Sequence, residues 1–282
     1  MTSTYIRHIP TPPLNTYVDY FWYFDGPMAY PREKSLPFPS AVLIFNFDGP
    51  VQMSSASQNQ ICSTWSEAWW MGPWNRYHLV NWPKHVQQIG VSFNPGGAYP
   101  FLQLPVSELH NQYVSLGDIG DHHATEIWER LFEAPTIEEK FSLLTHILLT
   151  RLCEAPQGLK TVQYAVGKIT EQGGVLSIKT LSDHIGISQN HLLTQFNRMV
   201  GFSPKELARH YRLMAVLRST DPTKPIDWTQ VAMHFGYYDL SHLNKDFVAF
   251  TGHSPTSYLQ LLRKKHNDDP LYHHMPRLLP ID

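Results

Sequence analysis

The stretch Leu181–Phe202 reads L-S-D-H-I-G-I-S-Q-N-H-L-L-T-Q-F-N-R-M-V-G-F, and Val231–His253 reads V-A-M-H-F-G-Y-Y-D-L-S-H-L-N-K-D-F-V-A-F-T-G-H. The second is the first rewritten. Each opens on an apolar residue followed by a small one, places a glycine five residues on, and continues into a helix with apolar residues at fixed places. Each closes on Gly-x-Ser-Pro, Gly201–Pro204 and Gly252–Pro255, and the turn glycines Gly186 and Gly236 stand 50 residues apart. A short helix, a tight glycine turn and a second helix form a helix-turn-helix, whose second helix enters a DNA major groove. Two copies predict a chain that reads two neighbouring stretches of duplex.

Ser188 is the expected N-cap of the first recognition helix, about Gln189–Val200. Leu192 and Phe196, four residues apart, turn inward with Ile185 and Ile187, which leaves Gln189, Asn190, Leu193, Thr194 and Asn197 outside. Gln and Asn donate and accept along a base edge, and Thr contacts a thymine methyl. Arg198 suits a phosphate, a contact that fixes position rather than sequence. In the second copy Leu243 and Phe247 turn inward with Val231, Phe235 and Tyr237. Asp239, Leu240, Ser241, Asn244 and Lys245 then face outward, with Leu240 suited to a thymine methyl and Lys245 to guanine or phosphate.

The segment around these motifs reads as helical. Leu159–Gln172 forms a helix ending at Gly173-Gly174, Ser177 caps the first short helix, and Ser203-Pro204 starts a long helix through Arg218. Asp221-Pro222 and Lys224-Pro225 break the chain before the second copy. Glu154–Gly158 reads as a linker, and before it His123–Glu154 is helical: Ile127, Leu131 and Phe132 make one apolar stripe, Phe141, Leu144, Leu148 and Leu152 another, with Thr136 as N-cap between them. Residues 1–122 carry short strand-like runs, Val42–Phe47, Tyr77–Trp82 and Val86–Phe93, between Gly/Pro/Asn turns, which favours a small barrel or sandwich. The expected architecture is therefore α+β and two-domain: a β-rich unit over 1–122, a helical connection over 123–154, an all-α double helix-turn-helix over 159–265, and a loose tail over 266–282.

Charge divides along the same boundary. Residues 1–158 hold 8 Lys/Arg against 14 Asp/Glu, residues 159–265 hold 13 against 7, and the whole 282-residue chain is −2. A basic module gains from counterion release on a polyanion, and its acidic neighbour does not. No apolar run approaches the ~18 residues of a membrane span, and the N-terminus lacks the apolar core of a secretory signal, so a cytoplasmic protein is expected. Cys62 and Cys153 suggest neither a disulfide framework nor a zinc site.

The double motif resembles the DNA-binding domain of the AraC/XylS family of bacterial transcription regulators over about Leu159–Leu262. The resemblance rests on Arg212-Leu213-x-Ala215, on Val231-Ala232, Gly236-Tyr237, Ser241-x-Leu243 and Phe247, and on Gly252-x-Ser254-Pro255-x-x-Tyr258. It implies that the connecting helix holds both recognition helices on one face of double-stranded DNA, about one helical turn (~34 Å) apart. It also implies that Gln189, Asn190, Leu193 and Thr194, with Leu240, Ser241, Asn244 and Lys245, lie where the family meets DNA. Ser182 stands where the family usually has Ala, and Val248 replaces a common basic residue. With Leu193 and Leu240 apolar, readout leans toward methyl groups. The N-terminal part is similar to a sensor-like domain through Leu14-x-x-Tyr17-Val18-x-x-Phe21-Trp22 and Phe93–Phe101. An unidentified small-molecule effector is expected there; a homodimer and, for an activator, contact with RNA polymerase are left open.

Two other constellations bear on function. Trp65, Trp69, Trp70, Trp74, Tyr77 and Trp82 pack a core or wall an effector pocket for an apolar or cationic compound. The alternative is a small-molecule-binding or metal-dependent β-barrel enzyme with an accessory helical domain, and sixteen histidines raise the metal-dependent form. Yet no His-x-His occurs, and His122-His123 and His273-His274 fall in loop or tail. No metal, cofactor or catalytic residue is expected.

Overall fold

A computed structural model describes residues 3–28, 30–55, 63–102, 104–152, 156–265 and 278–280. Cys62, Cys153, Glu154-Ala155 and His273-His274 lie outside them. Two antiparallel sheets stack face to face in the N-terminal part. One is six-stranded, in the order β1 (Thr4–His8), β2 (Val18–Pro27), β9 (His85–Phe93), β4 (Val42–Asn46), β7 (Ala68–Met71), β10 (Tyr113–Ser115). The other is five-stranded: β11 (Leu278–Pro280), β3 (Arg32–Ser35), β8 (His78–Asn81), β5 (Val51–Ser55), β6 (Ser63–Trp65). The sheets do not close on each other, so of the barrel and the sandwich the fold is the sandwich.

Strand alternation gives the larger sheet two apolar faces. Val42, Ile44 and Trp69 point toward the second sheet, where they join Val51, Met53 and Val80. Leu43, Phe45, Trp70, Ile89, Val91 and Phe93 point the other way. Helices cover that second face: α2 (Ala124–Glu133), α3 (Ile137–Arg151) and α4 (Leu159–Glu171) bury Ile127, Leu131, Phe141, Leu144, Val162 and Ile169 against it. A short helix α1 (Tyr99–Leu102) follows β9. Thr136 caps α3 by accepting from the Glu139 amide at 3.2 Å. Phe132 departs from its expected stripe: it is half exposed and stacks on Trp128, 5.3 Å between ring centres.

The C-terminal helical part runs α5 (Ile178–Ile185), α6 (Gln189–Met199), α7 (Pro204–Ser219), α8 (Trp228–His234), α9 (Leu240–Thr251) and α10 (Pro255–Lys265). Its two halves belong to different cores. Leu192, Phe196, Met199 and Phe202 of the first join the cluster that reaches back to the large sheet. Ala232, Leu243, Phe247 and Tyr258 of the second form another with Leu36 and Leu279. Leu279 belongs to the tail expected to be loose. Leu278–Pro280 instead pairs antiparallel with Ser35–Glu33, and burial of Leu279 beside Leu36 accounts for the departure.

Candidate functional site: two recognition helices and a shared cavity

Both turns form as their glycines require. Gly186 and Gly236 have φ of +81° and +69°, the left-handed region that side chains with a Cβ avoid. Ser188 caps α6 by accepting from the His191 amide at 3.2 Å, and Asp239 caps α9 by accepting from the His242 amide at 2.7 Å. Ser182 is buried and donates to the Lys179 carbonyl at 2.9 Å, which is how a hydroxyl is tolerated in the tight α5 contact.

The outer face of α6 gathers Ser188, Gln189, Asn190, Leu193, Thr194, Asn197 and Arg198, all exposed, while Leu192 and Phe196 are buried beneath. Arg198 is not held in solvent alone: its guanidinium sits 5.4 Å from the ring centre of Tyr99 in α1. On α9, Asp239, Ser241 and Lys245 are exposed, and Leu240 and Asn244 are half-buried. Tyr238, 92% exposed immediately before the α9 cap, was not singled out from sequence; its place beside the buried Tyr237 was the available signal. Val248 is half exposed, as its place on α9 implied.

α7 ties these parts together. A full capping box starts it: Ser203 Oγ accepts from the Glu206 amide at 3.1 Å, and Glu206 Oε2 accepts from the Ser203 amide at 2.9 Å. Arg209 Nε then donates to Asp246 Oδ1 of α9 at 2.7 Å. Arg212 donates to the Gly174 carbonyl at 3.0 Å and lies 5.4 Å from the Tyr237 ring centre. Burial, then the nearby Asp246 carboxylate, pushes the Tyr237 hydroxyl well above its ordinary range. The arginines of one helix thus reach the second repeated unit and the loop at Gly174 that precedes the first.

The six aromatic residues singled out from sequence do not make one wall. Trp70 stacks on Phe93 at 5.3 Å, on the helix-covered face of the sheet, whereas its neighbour Trp69 lies between the sheets. Tyr77 packs under Lys34 and against Gly252. Trp65 and Trp74 line a small cavity of about 230 Å³. Only Trp82, whose indole donates to Glu33 at 2.8 Å, reaches the larger cavity of about 410 Å³ between the sheets. Strand alternation decides this, because consecutive residues leave a strand on opposite sides.

The larger cavity has walls that sequence reading missed. Trp22, Ile44 and Gln88 come from the large sheet, Met53 and His78 from the small one, and Met214, Leu217 and Arg218 from α7. Gly90 makes room for it: a Cβ there would stand 2.4 Å from the Trp22 ring, so glycine lets that indole lie across the strand. Among the described residues no group of three or more His, Cys, Asp or Glu is placed to hold a metal ion. No helix among them is long and apolar enough to cross a membrane.

A family model described as a helix-turn-helix domain matches residues 181–261, which spans both turns and the whole of α7. The chain carries a C-terminal helix-turn-helix domain of the AraC type. Ahead of that domain, residues 6–115 of the chain match a domain of unknown function (DUF6597). No curated protein matches the chain. Among solved structures the chain is similar to ToxT from Vibrio cholerae, at TM-score 0.45 and 9% identity over 85% of this chain and 98% of that one. An unsaturated fatty acid-bound ToxT from Vibrio cholerae strain SCE256 aligns at TM-score 0.43 and 10% identity, over 84% and 93%. A probable AraC family transcriptional regulator from Rhodopseudomonas palustris aligns at 27% identity and TM-score 0.31, over 34% of this chain and 95% of its own.

Proposed function

We propose that the chain is a sequence-specific, effector-responsive regulator in which α6 and α9 enter two adjacent major-groove segments and a small molecule occupies the cavity between the sheets. The outward faces of the two helices carry amide, hydroxyl, methyl-packing and cationic groups, the mixture that base edges and phosphates accept. Support for the effector comes from one observation above all: the 410 Å³ cavity is walled by both sheets and also by Met214, Leu217 and Arg218 of α7. That helix also carries Arg209 and Arg212, which reach Asp246 on α9 and the backbone at Gly174. If the ligand and DNA each bind better in one setting of α7 than in another, each must change the other's affinity by the same factor.

The test fills the cavity from the α7 side. Leu217→Trp leaves every groove-facing residue untouched, so affinity for an operator selected from genomic fragments should change at least about fivefold, the lower range of allosteric coupling. Unchanged affinity in a folded variant overturns the coupling.

A further inference from the structure

Laid on each other with Leu192 over Leu243, the two recognition helices agree at three of eleven positions, Gln189–Met199 against Leu240–Phe250. Two of the three are core: Leu192 with Phe196, and Leu243 with Phe247, are fully buried. The third is His191 with His242, and both are exposed. The other outward places differ, as Gln189 does from Leu240, Asn190 from Ser241 and Thr194 from Lys245.

The two histidines also share their placing. Each is the third residue of its helix, and its amide donates to the cap, at 3.2 Å to Ser188 and at 2.7 Å to Asp239. Their rings meet different neighbours. Gln195 Nε2 lies 2.8 Å from His191 Nε2, whereas the His242 ring stands edge-on to Tyr237, 5.2 Å between centres. No common internal contact therefore calls for the same side chain twice.

Helices with different outward residues meet different base pairs, while the sugar-phosphate backbone is the same along any duplex. A side chain held in common suits what both segments share. Imidazole can serve it, because even a neutral ring keeps one N–H donor and phosphate oxygens only accept. With the Gln195 amide donating to Nε2, the His191 ring proton sits on Nδ1. Gln195 is itself confined, since a Cβ at Gly158 would stand 2.5 Å from its amide nitrogen.

We propose that His191 and His242 are matched phosphate contacts, one for each groove segment, which seat both recognition helices on the backbone independently of sequence. The proposal rests on the reading that α6 and α9 enter adjacent grooves, and it names groups that anchor them there.

Ethylation interference, with the full-length protein on an operator selected from genomic fragments, tests it. The unaltered protein should show two sets of phosphates whose ethylation blocks binding. His191→Ala should erase phosphates from one set only and His242→Ala from the other, each with about fivefold weaker binding, the scale of one hydrogen bond. The loss should be equal on selected and scrambled DNA, which separates a backbone contact from a base contact. His191→Gln and His242→Gln, which keep a side-chain N–H, should bind more tightly than the alanine variants. Both side chains are exposed, so the urea midpoint should stay in place and assign the loss to the interface. Interference unchanged in either alanine variant, or a loss confined to selected DNA, overturns the proposal, and two sets in the unaltered protein then leave the two-helix reading standing. A single set in the unaltered protein overturns both.

Discussion

Removing Arg209 tests whether α7 braces the second recognition helix. Its Nε lies 2.7 Å from Asp246 Oδ1, with the Asp246 side chain 6% exposed and the Arg209 side chain 41% exposed. Two exposed partners would make the pair worth under about 1 kcal/mol. Stranding one charge of a fully buried pair would cost about 3–5 kcal/mol. Here one partner is buried and the other is partly in water, which places Arg209→Ala between the limits, at about 2 kcal/mol. Loss of the guanidinium from over the Phe250 ring, 5.1 Å away, adds in the same direction.

The cost should appear twice. Urea unfolding of Arg209→Ala should lose about 2 kcal/mol. Affinity for an operator carrying both groove segments should fall about tenfold or more, because α9 is no longer held in its setting. Adding Asp246→Leu should recover more than half of the unfolding loss, since an apolar side chain of similar size replaces the stranded carboxylate. A loss below about 0.5 kcal/mol, or a double variant that shows only the sum of the two single losses, refutes the brace.

The remaining predictions concern the groove-facing residues and the buried imidazole. Asn190→Ala should narrow the affinity gap between selected and scrambled DNA; equal loss on every sequence would contradict a base contact. Lys245→Ala should reduce the slope of log affinity against log salt by about one if its ammonium meets a phosphate, and an unaltered slope contradicts that. His78 is held neutral in the folded state, its value pushed down to about 3 from an ordinary 6.5 by burial. The unfolded chain therefore takes up a proton first, and stability is lost as pH falls from about 6.5 toward 3, on the order of 1 kcal/mol per unit. His78→Phe should show a shallower decline in denaturation midpoint over that window, and parallel profiles would refute the assignment.

What the sequence made legible follows the range of the interaction. Caps are local chemistry, so Thr136, Ser177, Ser188 and Ser203 cap as read, and the glycine turns fall where Gly186 and Gly236 put them. The inward sets of α6 and α9 were readable for the same reason: helical period alone selects Leu192 with Phe196 and Leu243 with Phe247. The cavity was not readable. Aromatic density along the chain drew attention to Trp65–Trp82, yet alternation sends Trp69 and Trp70 to opposite faces, and α7 brings Met214 and Leu217 from far along the chain. β2 escaped notice because Val18–Pro27 buries residues on both sides and shows no clean alternation. The Leu278–Pro280 strand depends on a partner some 245 residues away, which no local pattern reports.

Methylation interference on an operator selected from genomic fragments tests the central claim most directly, because it reads guanine contacts in the major groove base by base. Two interfering patches on one face of the duplex, centred about 10 base pairs apart, are predicted for helices held as one unit by α7. A single patch, or tight binding with no interference anywhere, would contradict the account.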